Sequence, residues 1–177
     1  MSKINKIVAM VREFQTTMGQ NPSFELSVKL AAEEAKEALD ACYALQANPS
    51  LETMEAFTKE CADACYTMTA LTIHIENGTA LFGEDLTPEM VENLNLARSA
   101  AEMQFDAGNL FFPEVLLISA IEKVHASNMT KLGDDGKPVY NEDGKVVKGP
   151  NYKAPDLSEE AKLLLASYEV AHLLSAA

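Results

Sequence analysis

Apolar residues recur at helical spacing from the start of the chain. Ile4, Val8, Met10, Val11, Phe14 and Met18 predict a first helix over about Lys3–Met18, with Gly19 as its C′ residue. Gln20-Asn21-Pro22-Ser23 reads as a turn whose Asn21 or Ser23 caps a second helix from about Phe24 to Gln46. Its core stripe is Leu26, Leu30, Ala31, Ala35, Ala38, Leu39 and Cys42, rich in alanine and thin in bulk, which allows close helix contact. Asn48-Pro49-Ser50 ends that helix, and Ser50 caps a third that runs to about Glu76, with Glu52 and Glu55 near its positive end and a stop at Asn77-Gly78. Residues 79–86 read as irregular. Thr87 and Pro88 open a fourth helix, as cap and first helical residue, running to about Asp106, with Gly108-Asn109 as a break. Phe112-Pro113-Glu114 opens a fifth, through Val115, Leu116, Ile118, Ile121 and Val124 to about Met129. Gly133 to Asp156 is the least helical part. Within it Val139-Tyr140 and Val146-Val147 flank Asp143-Gly144, which signals a hairpin. Ser158-Glu159-Glu160 caps a last helix through Leu163, Leu164, Leu165, Tyr168 and Leu173. The pattern predicts an all-α bundle of five or six helices, one domain over residues 1–177, with a small β-hairpin excursion near 133–156. Loops of that size inside a compact domain are usually functional or disordered.

Composition narrows the function classes. The formal net charge is −13, which argues against binding a nucleic acid polymer through its phosphates and against a role on anionic membranes. No run of about 18 apolar residues predicts a membrane span, and the start does not resemble a signal peptide, so a soluble, cytoplasmic protein is expected. Cys42, Cys61 and Cys65 are an odd count, and a disulfide framework is not expected. Cys61 and Cys65 share a helix face, but no Cys or His cluster completes a zinc site, and both read as core.

Two acidic stretches carry the candidate chemistry: Glu33-Glu34-Ala35-Lys36-Glu37 and, one helix later, Glu60-Cys61-Ala62-Asp63. Residues three or four apart on a helix share a face, so Glu34 and Glu37 point together, Glu33 lies close to Glu37, and Glu60 and Asp63 form a second pair. Two antiparallel helices can bring the pairs into one cluster. A single acid on a helix is ordinarily solvated. Here, however, Glu33 and Glu37 repel by about 0.2–0.5 kcal/mol. Lys29 and Lys36 can compensate only Glu33, and Lys59 can reach Asp63, which leaves a structural ion pair open. Four or five carboxylates without an obvious protein cation call for a hard divalent ion, Mg2+ or Mn2+. A second reading comes from Glu122-x-x-His125 and Glu169-x-x-His172, a pattern shared with di-iron and di-manganese carboxylate bundles. Against it stand the surplus of acids on the second and third helices and the terminal position of His172. A third reading is a helical interaction module whose acids are merely surface.

Glu-Glu-x-x-Glu followed by Glu-x-x-Asp resembles the all-α nucleoside triphosphate pyrophosphohydrolases, the MazG-like superfamily. Downstream, the stretches from His125 to Lys131, Asp135 to Pro138, Glu142 to Lys145 and Lys148 to Tyr152 resemble its phage and bacterial MazG-like branch. The resemblance spans about Val11 to Leu157, and the segment from Gly78 to Gly108 is its least familiar part. It implies hydrolysis of a nucleoside triphosphate to a monophosphate and pyrophosphate. The branch includes MazZ-type enzymes acting on dGTP, so (d)GTP is the expected substrate. It further implies Glu34, Glu37, Glu60 and Asp63 as metal ligands, and Glu33 as an additional acid, either a second-metal ligand or a water-orienting group. Asn128 and Lys131, sharing a face of their helix, become phosphate contacts. Phe14, Gln15, Met18 and Gln20 lie where family members hold the nucleobase, and Lys148, Asn151 and Tyr152 can close over phosphates or base. Phe14 as core, Gln20 as a helix cap, Lys131 as a helix C-terminal cation and a solvated loop at 148–152 are the competing structural readings. Family members are oligomers, so a dimer or tetramer is expected, and an alanine-rich metal helix fits burial against a partner chain.

Overall fold

Alanine dominates the buried face of the second helix. The computed structural model describes residues 3–20, 22–76, 86–95 and 113–175. Its helices are α1 (Lys3–Thr17), α2 (Phe24–Ala47), α3 (Leu51–Glu76), α4 (88–95 in its described part), α5 (Glu114–Asn128) and α6 (Ser158–Ser175). Between α5 and α6 lie β1 (Val139–Tyr140) and β2 (Val146–Val147), paired antiparallel with Val139 opposite Val147. The fold is therefore all-α with one small hairpin, as the periodicity predicts. No described helix is long and apolar enough to cross a membrane.

The chain turns back at 48–50, and α2 lies along α3. The seam on α2 is Ser27, Val28, Ala31, Ala32, Ala35, Ala38 and Leu45. This differs from the predicted stripe: Leu26, Leu30, Leu39 and Cys42 are only half-buried. The closest helix approach selects small side chains, so the leucines fall to its flanks. The alanines are also buried within one chain, which removes the argument that they await a partner subunit. α3 is the hub, packing against α1, α2, α5 and α6. The main core joins Val11 and Phe14 of α1, and Met18 in the turn after it, to Ala62 and Tyr66 of α3, Ile121 and Val124 of α5, and Val146 of β2. A second cluster joins Met54, Phe57 and Cys61 to Ala161 and Leu164 of α6.

The helix ends follow local chemistry. Gly19 takes φ +59° beyond α1. Ser23 Oγ accepts from Leu26 N at 3.1 Å. Ser50 and Thr53 cap reciprocally, each hydroxyl accepting from the other's backbone N–H. Thr87 Oγ1 accepts from Met90 N at 3.1 Å. The start of α6 departs from expectation. Ser158 is its first helical residue rather than its cap, and donates both N–H and Oγ–H to Asp156. The predicted extent of the fourth helix to Asp106, and the breaks at Asn77-Gly78 and Gly108-Asn109, lie outside the described residues.

The excursion after α5 is ordered. Asn141 Oδ1 accepts from the N–H groups of Asp143 and Lys145, and Gly144 takes φ +81°. The loop thus runs over 141–145, longer than the tight two-residue turn that Asp-Gly most often makes. Tyr140 OH donates to the Met18 carbonyl, Lys29 reaches Asp143 at 3.3 Å, and Val146 is buried in the main core. These ties hold the hairpin against α1 and α2. Downstream, Ser127 Oγ donates to the Lys153 carbonyl and Asn151 Nδ2 to the Gly133 carbonyl. A Cβ at Gly149 would fall on the Leu132 carbonyl, a backbone atom that cannot move aside alone. Gly149→Ala is expected to lower stability by about 1–3 kcal/mol in urea denaturation.

Candidate functional site

The close α2–α3 seam brings the acids together. One carboxylate oxygen from each of Glu34, Glu37 and Glu60 lies within 4.8 Å of the others. Glu34 and Glu37 come from one face of α2, and Glu60 from α3 opposite. Asp63 stands one turn along α3 and is bound by Lys59 at 2.9 Å; Lys59 also reaches Glu60 at 2.8 Å. Glu33 is apart from this trio. It pairs with Lys145 at 2.8 Å, and Lys145 Nζ lies 4.0 Å from Glu34.

The cluster predicted to lack a protein cation therefore has two. Lys59 arrives by helical spacing. Lys145 arrives because the hairpin folds back onto α2, which no local spacing encodes. Neither lysine assigned to Glu33 from sequence serves it: Lys29 pairs with Asp143 and Lys36 with Asp40 at 2.7 Å.

The two cations do not balance the acids. Burial, then the charges of Asp63 and Glu37, push the Glu34 carboxyl up to about 7, against the opposing pull of Lys145 and Lys59. Burial raises Glu60 as well, with Lys59 opposing. Burial disfavours the Lys59 ammonium, but Asp63 and Glu60 outweigh it and hold its pKa above the ordinary lysine value. Lys145 shows the same contest, decided upward by Glu33. For Lys131 burial prevails, lowering the pKa despite Asp63 and Glu34.

These groups wall a polar cleft of about 450 Å3. Glu34, Glu37 and Asp63 line it together with Lys59, Lys131, Lys145, Lys148 and Asn128. Tyr152 completes the wall, with Lys148 Nζ 4.9 Å from its ring centroid. Six residues, among them Glu34, Asp63, Asn128 and Lys131, also line an adjoining, smaller pocket of about 80 Å3. Its other walls include Phe14, Gln15, Gln20, Ser27, Leu30 and Tyr66.

Ten of the fourteen residues named from sequence line one or both spaces: Phe14, Gln15, Gln20, Glu34, Glu37, Asp63, Asn128, Lys131, Lys148 and Tyr152. Glu33 and Glu60 do not, and reach the cleft through Lys145 and Lys59. Asn128 and Lys131 meet the cleft differently from the predicted shared helix face. α5 ends at Asn128, and a turn closed by Lys131 N to the Asn128 carbonyl at 3.1 Å brings the lysine round. Phe14 is both core and pocket wall, edge-on to Tyr66 with centroids 6.0 Å apart. Gln20 does not cap α2, since Ser23 does. Met18 is fully buried and Asn151 holds the loop through Gly133, so neither joins the pocket walls. Lys145, Tyr66 and Ser27 are not assigned from sequence, whereas the Lys59–Asp63 pair is; Tyr66 sits three residues after Asp63, a spacing that marks it.

The two Glu-x-x-His motifs do not join the carboxylate trio among the described residues. Glu122 pairs with Lys6 across α1 and α5. His125 Nδ1 shares a hydrogen bond with Tyr66 OH at 2.9 Å, and Nε2 lies 3.4 Å from Glu13. Glu169 is exposed, and the His172 side chain lies outside the described residues. No protein family, curated protein or solved structure matches this chain.

A carboxyl raised from 4.5 to about 7 on folding contributes stability that is full below pH 4.5 and lost as pH rises through 7. In EDTA, the wild-type protein is expected to lose up to about 3 kcal/mol across that window relative to Glu34→Gln, which removes the titrating group. Urea denaturation of both proteins at pH 4.5, 6 and 8 measures the difference.

Proposed function

We propose that this chain is a divalent-metal-dependent nucleoside triphosphate pyrophosphohydrolase, with (d)GTP as the first substrate to test. One observation carries the reading. Carboxylates, ammonium groups and an aromatic-lined pocket meet in two adjoining spaces that share Glu34, Asp63, Asn128 and Lys131, as a site for metal, phosphates and base requires. The donor set fits a hard cation. Glu34, Glu37 and Glu60 offer three oxygens at close range, and a Glu34 carboxyl at about 7 is left short of positive charge by the two lysines. Glu34, Glu37, Glu60 and the neighbouring Asp63 are the residues that would hold Mg2+ or Mn2+. When bound, such an ion neutralises triphosphate charge and acidifies a water molecule.

The remaining roles belong to the chain. Lys131 is already largely dehydrated, so its ammonium meets a phosphate oxygen at little further cost, and the Asn128 amide beside it can donate to another. Lys148 lines the same cleft and lies over the Tyr152 ring. Glu33 stands beside the trio rather than within it, which suits orienting the attacking water or accepting its proton. Phe14 and Tyr66, set edge to face, supply aromatic wall for a base. Three free thiols and a nucleotide substrate suit the reducing cytoplasm.

The decisive assay incubates the protein with a panel of nucleoside and deoxynucleoside triphosphates in Mg2+ or Mn2+ and resolves pyrophosphate from orthophosphate. Monophosphate and pyrophosphate are expected. Orthophosphate alone, or no turnover of any nucleotide, would sink the reading. Glu37→Gln is expected to lower kcat/KM by at least about 100-fold, since even residues that merely support metal ligands cost about 10–100-fold. A dimer or tetramer belongs to the same reading through the family resemblance, and a monomer in light scattering would count against it.

A further inference from the structure

Hydroxyls inside helices usually back-bond to the carbonyl four residues earlier. Thr16, Thr58, Thr67, Thr69, Thr72 and Ser167 all do so here. Ser27 does not. It is only 3% exposed, and its Oγ is the one buried side-chain polar atom without a hydrogen-bond partner among the described residues. A buried hydroxyl left unsatisfied is destabilising, and each such group calls for an explanation.

Its position supplies one. Ser27 is part of the wall of the apolar pocket, with Phe14 and Tyr66. Gln15 and Gln20 line the same pocket, and their side-chain amides hydrogen-bond to no described residue. Ser27 also lies two turns before Glu34 on the same face of α2, about 10 Å along the axis. That separation matches the reach of a nucleotide from its α-phosphate to the far edge of its base. A space with aromatic and aliphatic faces, one unsatisfied hydroxyl and two glutamine amides suits a flat heteroaromatic ring with donors and acceptors on its edge.

We propose that Ser27 Oγ is a specificity-determining group that hydrogen-bonds the edge of a nucleobase held in this pocket. The assignment rests on the nucleotide reading above and adds the residue that makes the contact. α2 then measures the ligand, with the phosphates at Glu34 and the base at Ser27.

The test compares wild type with Ser27→Ala in magnesium, by equilibrium binding of the α,β-methylene analogues of dATP, dGTP, dCTP and TTP and of inorganic tripolyphosphate. Ser27→Ala is expected to melt at the same or a higher temperature, because it removes an unsatisfied group. It should bind the wild type's preferred analogue about tenfold more weakly and tripolyphosphate equally well. Unchanged affinity for that analogue overturns the role of Ser27 and leaves the nucleotide reading standing. A lower melting temperature makes the hydroxyl structural and overturns the proposal. Wild-type protein that binds tripolyphosphate as tightly as every analogue overturns the nucleotide reading and this proposal together.

Discussion

Everything at the candidate site depends on how closely α2 and α3 approach. Ala31, Ala32, Ala35 and Ala38 are all buried and place almost no bulk between the two backbones. With larger residues there, Glu34 and Glu37 would stand too far from Glu60 to share a ligand. The stability of that seam comes from contact between well-packed small surfaces rather than from large apolar side chains, and larger residues are left to the main core around Ile121 and Met18. The same approach that holds the helices together therefore forces like charges together.

The electrostatics follow from that constraint. Two lysines share five acids, and each lysine is itself half-dehydrated. Lys59 is committed to Glu60 and Asp63, and Lys145 to Glu33, so Glu34 and Glu37 hold the unbalanced charge. A third ammonium, Lys131, lies in the same cleft without a salt bridge to any described residue. The arrangement sets acids and ammonium groups around one open space, which suits a polyanion together with its counter-ion.

How much of this was legible depended on whether a feature was local. Gly19, Ser23, Ser50 and Thr87 end or start their helices where the sequence places them, because a cap is settled within four residues. Ser158 was misread as a cap because Asp156, two residues earlier, takes its donors. Glu160 looks like a helix-start surface acid, yet it is buried between Ser119 and Lys123 of another helix. The phase of α2 was misjudged because large leucines signal a core by size, while the nearest neighbour helix selected alanine. The acid spacing was legible; the Lys145 contribution was not, since the hairpin that delivers it is placed by tertiary contacts. Ser27 gave no signal at all, because a lone helical serine is ordinary until its missing partner is seen.

The tie between Glu33 and Lys145 spans 112 positions of sequence. Such distant contacts form late in folding, because the chain must first lose the entropy of closing the loop. Helices α1 to α3 precede the hairpin in the chain, and of the two lysines paired with the acids only Lys59 belongs to them. The second cation therefore depends on a segment far away in sequence, and the charge balance of the cleft is a property of the completed fold rather than of the central helix pair.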